Sequence, residues 1–307
     1  MDIDLLSNIF FAMVRCGTPL LLVALGELIC EKSGVLNLGQ EGMMLFGAVI
    51  GFIVAFNSGN LWLGVLLAML AGMLLSSLFA VVALVFNANQ VATGLALTLF
   101  GVGLSAFLGR GFVGQTVAPL AAVSLPLLSD IPLLGPLLLR FDPMVYLSLA
   151  LVPLLGWMLA RTRAGLVIRA VGEAPHAAHA IGIHVVWVRM AAVLFGGAMS
   201  ALAGAYLSLA LTPMWVEGMT AGRGWIALAM VVFATWKPRG VLAGAYLFGG
   251  VTVLQFHGQG LGIDVPSQFL SMLPYLATIV VLTIICRNPR TLLLNRPQAL
   301  GQGFRAD

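Results

Sequence analysis

The chain has 307 residues, of which 61% are hydrophobic and 8% charged, with a mean hydropathy of +1.06. Soluble domains carry charge on about a quarter of their residues, so a soluble globular enzyme is excluded. The net charge of +4 gathers in loops and in the tail, not in a basic patch interleaved with aromatics, which argues against nucleic-acid binding.

Taken in chain order, the apolar runs predict membrane spans at about 9–29, 41–57, 61–86, 91–108, 143–160, 190–211, 223–236, 241–256 and 269–286. The fold class is therefore an all-α polytopic membrane protein with about nine (8–10) transmembrane helices, forming a single transmembrane domain over 1–307. The N-terminus MDIDLLSNIF is acidic and lacks a basic leader, so the first apolar run is expected to stay as a span. Cys16, Cys30 and Cys286 are widely spaced in or beside apolar runs and read as small buried hydrophobes, not as a disulfide or metal set.

Residues 26–44, GELICEKSGVLNLGQEGMM, place Glu27, Glu31, Lys32, Asn37, Gln40 and Glu41 between two hydrophobic runs. Ionisable residues at membrane depth face protein or a watery path, and the glycines Gly34, Gly39 and Gly42 favour broken or re-entrant backbone there. Pore-lining structure is one reading; a polar turn with Glu31 and Lys32 solvated is the other. Gly26 to Ser33 nearly spells a phosphate-binding loop, but Glu31 stands where the second glycine is required, and no strand precedes it.

Asn87-Ala88-Asn89-Gln90 is a polar hinge followed by Thr93 and Thr98. Its amides suit either a hydrogen bond to a polar solute or a helix cap. Asn37, Gln40, Glu41, Asn89, Gln90 and Thr93 are thus the candidate route-lining residues, chosen for polarity within spans. The segment 109–142 is expected on the outer face, with an interfacial or re-entrant piece near 119–139. Small residues four apart in Gly47/Gly51, Gly196/Ser200/Gly204 and Gly240/Gly244 predict close helix packing.

The longest polar interruption is Arg161 to Arg189, with four of the fifteen basic residues. Within it, Glu173-Ala174-Pro175 and Gly182 bracket a short helix, proline suiting the first turn and glycine the exit. Ala177, Ala178, Ala180 and Ile181 are expected to point outward. So short a helix is unstable alone, so it reads as a docking element, with an ordinary connecting loop as the alternative. Arginines in this loop, Lys237 and Arg239, and Arg287, Arg290, Arg296 and Arg305 in the tail (287–307) place all three on the cytoplasmic side and the N-terminus outside. The span near 223–236 is too short to cross unaided, and a broken helix beside a re-entrant segment fits it. Pro274 is expected to kink the last span. His176, His179 and His184 lack the further ligands of a zinc set, and no Ser-His-acid, HExxH or GxSxG grouping appears.

The stretches GELICEKSGVLNLGQEGMMLFGA, IRAVGEAPHAAHAIGI and GRGWIALAMVVFATWKPRG, followed by LFGG and LPYLATIVVL, resemble the permease subunits of bacterial ABC importers for nucleosides and simple sugars. That group is related to ribose and branched-chain amino-acid permeases, and the resemblance runs from about residue 15 to 286. The first stretch and the LPYLATIVVL ending are most similar to the nucleoside branch. The family often has glycine where Ala234 or Thr235 stands. The resemblance implies a type II ABC importer-like fold in a bacterial cytoplasmic (inner) membrane, and a non-catalytic subunit without a cofactor. ATP and magnesium would be bound by a partner ATPase with two nucleotide-binding halves. It further implies a second homologous permease subunit and an extracytoplasmic substrate-binding (lipo)protein. Gly172, Glu173, Pro175, Ala178 and Gly182 match the motif of the coupling helix that sits in a cleft of the ATPase. The alternative is a stand-alone ion-coupled secondary transporter, for which Glu41 and Glu217 are the candidate ion ligands; an intramembrane enzyme ranks last.

Overall fold

The computed structural model describes residues 3–122, 141–260, 269, 272–286 and 295–305. The elements are α1 (Ile3–Lys32), α2 (Gln40–Ser58), α3 (Leu61–Ala80), α4 (Gln90–Gly109), α5 (Pro143–Arg161), α6 (Arg163–Glu173), α7 (Pro175–Ala180), α8 (Val185–Tyr206), α9 (Arg223–Phe233), α10 (Pro238–Gly260) and α11 (Leu273–Cys286). Wide π turns extend α3 over Val81–Val85 and α8 over Leu207–Leu211. Among the described residues, six helices are long and apolar enough to cross a membrane: α1 to α5 and α8, with their short extensions. The protein is a multi-pass helical membrane protein. Its outward faces agree, since Leu74, Leu99 and Phe107 stand 72–77% exposed, a cost lipid removes.

Local chemistry starts the helices. Asn60 accepts from the backbone N–H groups of Trp62 and Leu63 to start α3, and Asn89 accepts from Ala92 to start α4. Asp142 accepts from Met144 and Val145 ahead of Pro143, and Thr162 accepts from Gly165. Helices reach beyond the apolar runs that predict them: α8 opens early, at Val185, and takes Arg189 inside, and α1 runs on through Glu31 to Lys32. Polar residues continue a helix wherever protein satisfies them.

α1 is the central post. From Leu20 to Glu31 its residues are buried, packed against α8, α10 and α9. α2 lies against α3, α8 and α4. The expected small-residue spacing makes these crossings: a Cβ on Gly47 would overlap the Ala201 backbone, and one on Gly204 would overlap that of Met44. Gly240 instead sits against Ala234 at the local α9–α10 turn.

Pro274 does not kink the last helix; it stands second in α11, where its missing N–H costs nothing. Proline instead lies inside α1 at Pro19 and inside α5 at Pro153. The expectation for 119–139 falls mostly on 123–140, outside the described residues. What is described is a short pairing of Val117 and Leu120 with Pro213 and Leu209.

Candidate functional site

After Lys32 the chain does not leave the bundle. Gly34, at φ 88°, reverses it, and 35–39 run back along α1 before α2 begins. This non-helical backbone is held by protein. Gln90 Oε1 accepts from Leu36 N–H (2.9 Å), Glu27 Oε1 from Asn37 N–H (3.2 Å), and Asn37 Oδ1 from Gly39 N–H (2.9 Å). Thr98 donates to Leu38 O (2.9 Å), the Gln40 amide donates to Glu27, and Ser200 donates to Gln40. Glu27 sits five residues before the end of α1, so Gln40 starts α2 about 7 Å inside that end.

A short helix, α9, arrives from the other direction. After α8 and its π turn, residues 212–222 turn back into the bundle, and α9 begins at Arg223. The two helix starts meet at Glu41. Its Oε1 accepts from Thr220 Oγ1 (2.5 Å) and Gly222 N–H (2.8 Å), and its Oε2 from Gly224 N–H (2.7 Å). One buried carboxylate in the first turn of α2 therefore also caps α9. Both helices present their partly positive N-termini to it. The turn is tight, with Ala221 at φ 48° and Gly222 at φ 78°.

Beside this junction lies a cavity of about 480 Å³ between α1, α9, α10 and α11. Leu20, Ile226, Phe248 and Pro274 give it apolar and aromatic walls; Arg223, Thr252, Gln255 and Tyr275 give it polar edges. Arg223 Nη1 donates to Met219 O (3.0 Å), and Tyr275 donates to the carbonyl of the strained Ala221 (3.0 Å). A second cavity of about 390 Å³, lined by side chains such as Ile29, Leu155 and Phe195 from α1, α5, α6 and α8, is apolar and offers a polar solute no side-chain partner.

The polar residues chosen from sequence thus separate. Asn37, Gln40 and Glu41 are buried together, with Gln90 close by, all engaged in holding the turns that precede α2 and α9. Asn89 is exposed and caps α4, and Thr93 bonds back to Asn89 O within the same helix (2.8 Å). Arg223, Thr252, Gln255 and Tyr275 were not singled out from sequence. Only Arg223 had a signal, a lone charge opening a short apolar run. Glu217 is exposed.

At the end of the bundle where α1 stops lie α6 and α7, the stretch that the sequence predicts as a docking element. Gly172 packs against the backbone of Lys32, where a Cβ would overlap. α7 follows Ala174, opens on Pro175, and is closed by Gly182 at φ 89°. Pro175 and Ala178 turn inward, while Glu173, His176, Ala177, His179, Ala180 and Ile181 face out. The outward expectation for Ala178 is corrected: at 3% exposure it packs with Val171, Val185 and Phe304, because a six-residue helix must bury something to be held.

Glu31 and Lys32 are not left to solvent. Glu31 is 1% exposed and accepts from Trp236 Nε1 (2.5 Å), and Lys32 Nζ donates to Asn295 O (2.9 Å).

Against known families, residues 9–283 match the model described as branched-chain amino acid transport system / permease component. The chain is 41% identical to a putative glucose ABC transporter permease protein, TsgC13, of Haloferax volcanii, over 98% of each chain. It is 35% identical to the guanosine ABC transporter permease protein NupQ of Bacillus subtilis, over 92% of this chain and 93% of that one. It is 34% identical, with the same coverage, to the nucleoside ABC transporter permease protein NupC of Lactococcus lactis. No solved structure matches.

Proposed function

The chain belongs to the branched-chain amino acid transport system / permease component family, an ABC transporter permease that is itself non-catalytic, and on that premise we propose that it conducts nucleosides inward for an ATP-driven importer. The observation that carries the reading is the meeting of two helix starts at Glu41, one of them the 11-residue α9, beside a cavity with both aromatic and hydrogen-bonding walls. Discontinuous helices are how transporters expose backbone and charge to a solute. The cavity is of ligand size. Tyr275 offers a ring face for a base, and Arg223, Gln255 and Thr252 offer partners for base edges and ribose hydroxyls.

In this reading the α7 end is cytoplasmic. Lys32, Arg161, Arg163, Arg169, Arg189, Lys237, Arg239, Arg296 and Arg305 crowd there, as the positive-inside rule requires. α9 then counts as a short span among nine in a type II-like arrangement within the cytoplasmic membrane. α7 with Gly172, Glu173, Pro175, Ala178 and Gly182 is the lever that an ATPase with two nucleotide-binding halves engages. A sister permease completes the conduit, and an extracytoplasmic binding protein delivers the solute. Asn37, Gln40, Glu41 and Gln90 keep the turns of the route in place, with Asn89 and Thr93 at the start of α4. An ion-coupled carrier fits less well, since Glu217 is exposed and both oxygens of Glu41 are taken by protein donors.

A hexose is the second reading, favoured by the 41% identity to the putative glucose permease. Vesicles holding the chain with its cognate ATPase, sister permease and binding protein decide between them. Nucleoside uptake that needs ATP, survives an ionophore and is unaffected by excess glucose is expected. Glucose uptake blind to nucleosides would install the hexose reading, and ATP-independent uptake abolished by the ionophore would overturn both. Deleting 172–182 is expected to abolish ATPase association while leaving the membrane helices folded.

A further inference from the structure

Segment 295–305, which no transport role yet claims, is fastened to the same end of the bundle as α7. Ala299 N–H donates to Gly172 O (2.9 Å) and Gly301 N–H to Gly34 O (3.0 Å), so it crosses both the end of α6 and the turn after α1. Buried Arg189, at the start of α8, ties it down: its Nε donates to Ser33 O (3.2 Å) and its Nη1 to Gln302 O (2.9 Å). Lys32 Nζ reaches Asn295 O (2.9 Å). The segment ends these contacts with Phe304, 6% exposed, whose ring lies 5.1 Å from that of His176 and 5.5 Å from that of His179.

Phe304 matters because of what it completes. The small apolar cluster under α7 consists of Val171, Ala178, Val185 and Phe304 as its buried members. Three come from the 161–189 loop and the helix it leads into, and they are small. The one large side chain comes from elsewhere in the chain. A helix of six residues has no stability of its own, so the surface beneath it decides whether it stands as a rigid lever or dissolves into the loop.

We infer that segment 295–305 is the positioning element of α7, with Phe304 as its wedge and Arg189 as the tie that keeps the wedge seated. This rests on the reading of α7 as the ATPase-docking lever, and goes beyond it by making the lever's rigidity depend on a distant stretch of chain. An unseated Phe304 leaves the ATPase free to close without moving the membrane helices, so hydrolysis continues while transport per ATP falls.

The test uses the full importer in proteoliposomes with Phe304→Ala and Phe304→Leu. Phe304→Ala is expected to assemble and hydrolyse ATP while solute moved per ATP falls at least about tenfold, as loss of a buried aromatic ring shifts the held state of α7. Phe304→Leu, which keeps apolar volume, is expected to recover most of that ratio. A second measurement needs no assembled complex. A cysteine at the buried Ala178 position, in membranes, is expected to label with a maleimide at least about tenfold faster when Phe304→Ala is also present. An unchanged transport-to-hydrolysis ratio, equal losses for Ala and Leu, or unchanged labelling would each overturn the inference. If deleting 172–182 leaves ATPase association intact, the docking reading itself fails; if it abolishes association while Phe304→Ala changes nothing, only the positioning role fails.

Discussion

Glu41 holds three hydrogen bonds, two of them from backbone N–H groups at the start of α9. Leaving a buried donor unmatched costs about 1–3 kcal/mol, so Glu41→Ala is expected to destabilise the chain by about 3–5 kcal/mol and to speed hydrogen exchange across 220–226. Glu41→Gln turns one acceptor into a donor facing Gly222 or Gly224 and is expected to fall between; equal melting temperatures for all three proteins would refute the capping role. Thr235 carries strain where Glu41 relieves it. Thr235 and Trp236 both sit at positive φ, 50° and 54°, which swings the Trp236 indole onto Glu31. Thr235→Gly is expected to stabilise by about 1 kcal/mol, read as a rise in thermal midpoint. Trp236→Phe removes the hydrogen-bond partner of the buried Glu31 carboxyl and is expected to cost about 1–3 kcal/mol on the same measurement.

At the scale of elements, close approach decides. α2 and α8 meet through Gly47 on Ala201 and Gly204 on Met44, where any side chain would strike backbone. Gly204→Val is expected to abolish accumulation of folded chain in the membrane, whereas Gly103→Ala, on an open face of α4, is expected to leave it intact. Sequence made most elements legible because each has a local cause: an apolar run of spanning length, an Asn or Asp cap, a Pro–Gly bracket around α7. The extent of α1 and α8 was not legible, because Glu31 and Arg189 look like loop residues until Trp236, Ser33 and Gln302 are folded against them. Pro274 misled for a related reason: proline inside an apolar run and proline at a helix start read alike until the helix start is known.

For the molecule as a whole, glycine-rich and short-helix signals predict broken backbone before α2 and before α9, but not that the two turns share one carboxylate. Glu41 and Thr220 are 179 residues apart, and nothing local in either stretch names the other. The cavity beside them was hidden for the same reason, since Thr252, Gln255 and Tyr275 are scattered over two late helices. If solute passes there, Tyr275→Phe, which frees the strained carbonyl of Ala221, is expected to lower uptake several-fold without loss of assembly. Gln255→Ala is expected to raise KM more than it lowers kcat, checked by initial-rate uptake across solute concentrations.

The seat beneath α7 also imposes an order on how the protein is made. Arg189 and its carbonyl partner Gln302 are separated by 113 residues, so the ribosome delivers the wedge long after the lever. A nascent chain halted past Cys286 has every described apolar helix available for insertion, yet α7 still lacks its floor. On the positioning role inferred for Phe304, copies truncated after Cys286 are expected to lodge in the bilayer with a lever that has no seat, able to occupy an ATPase but not to turn its cycle into transport.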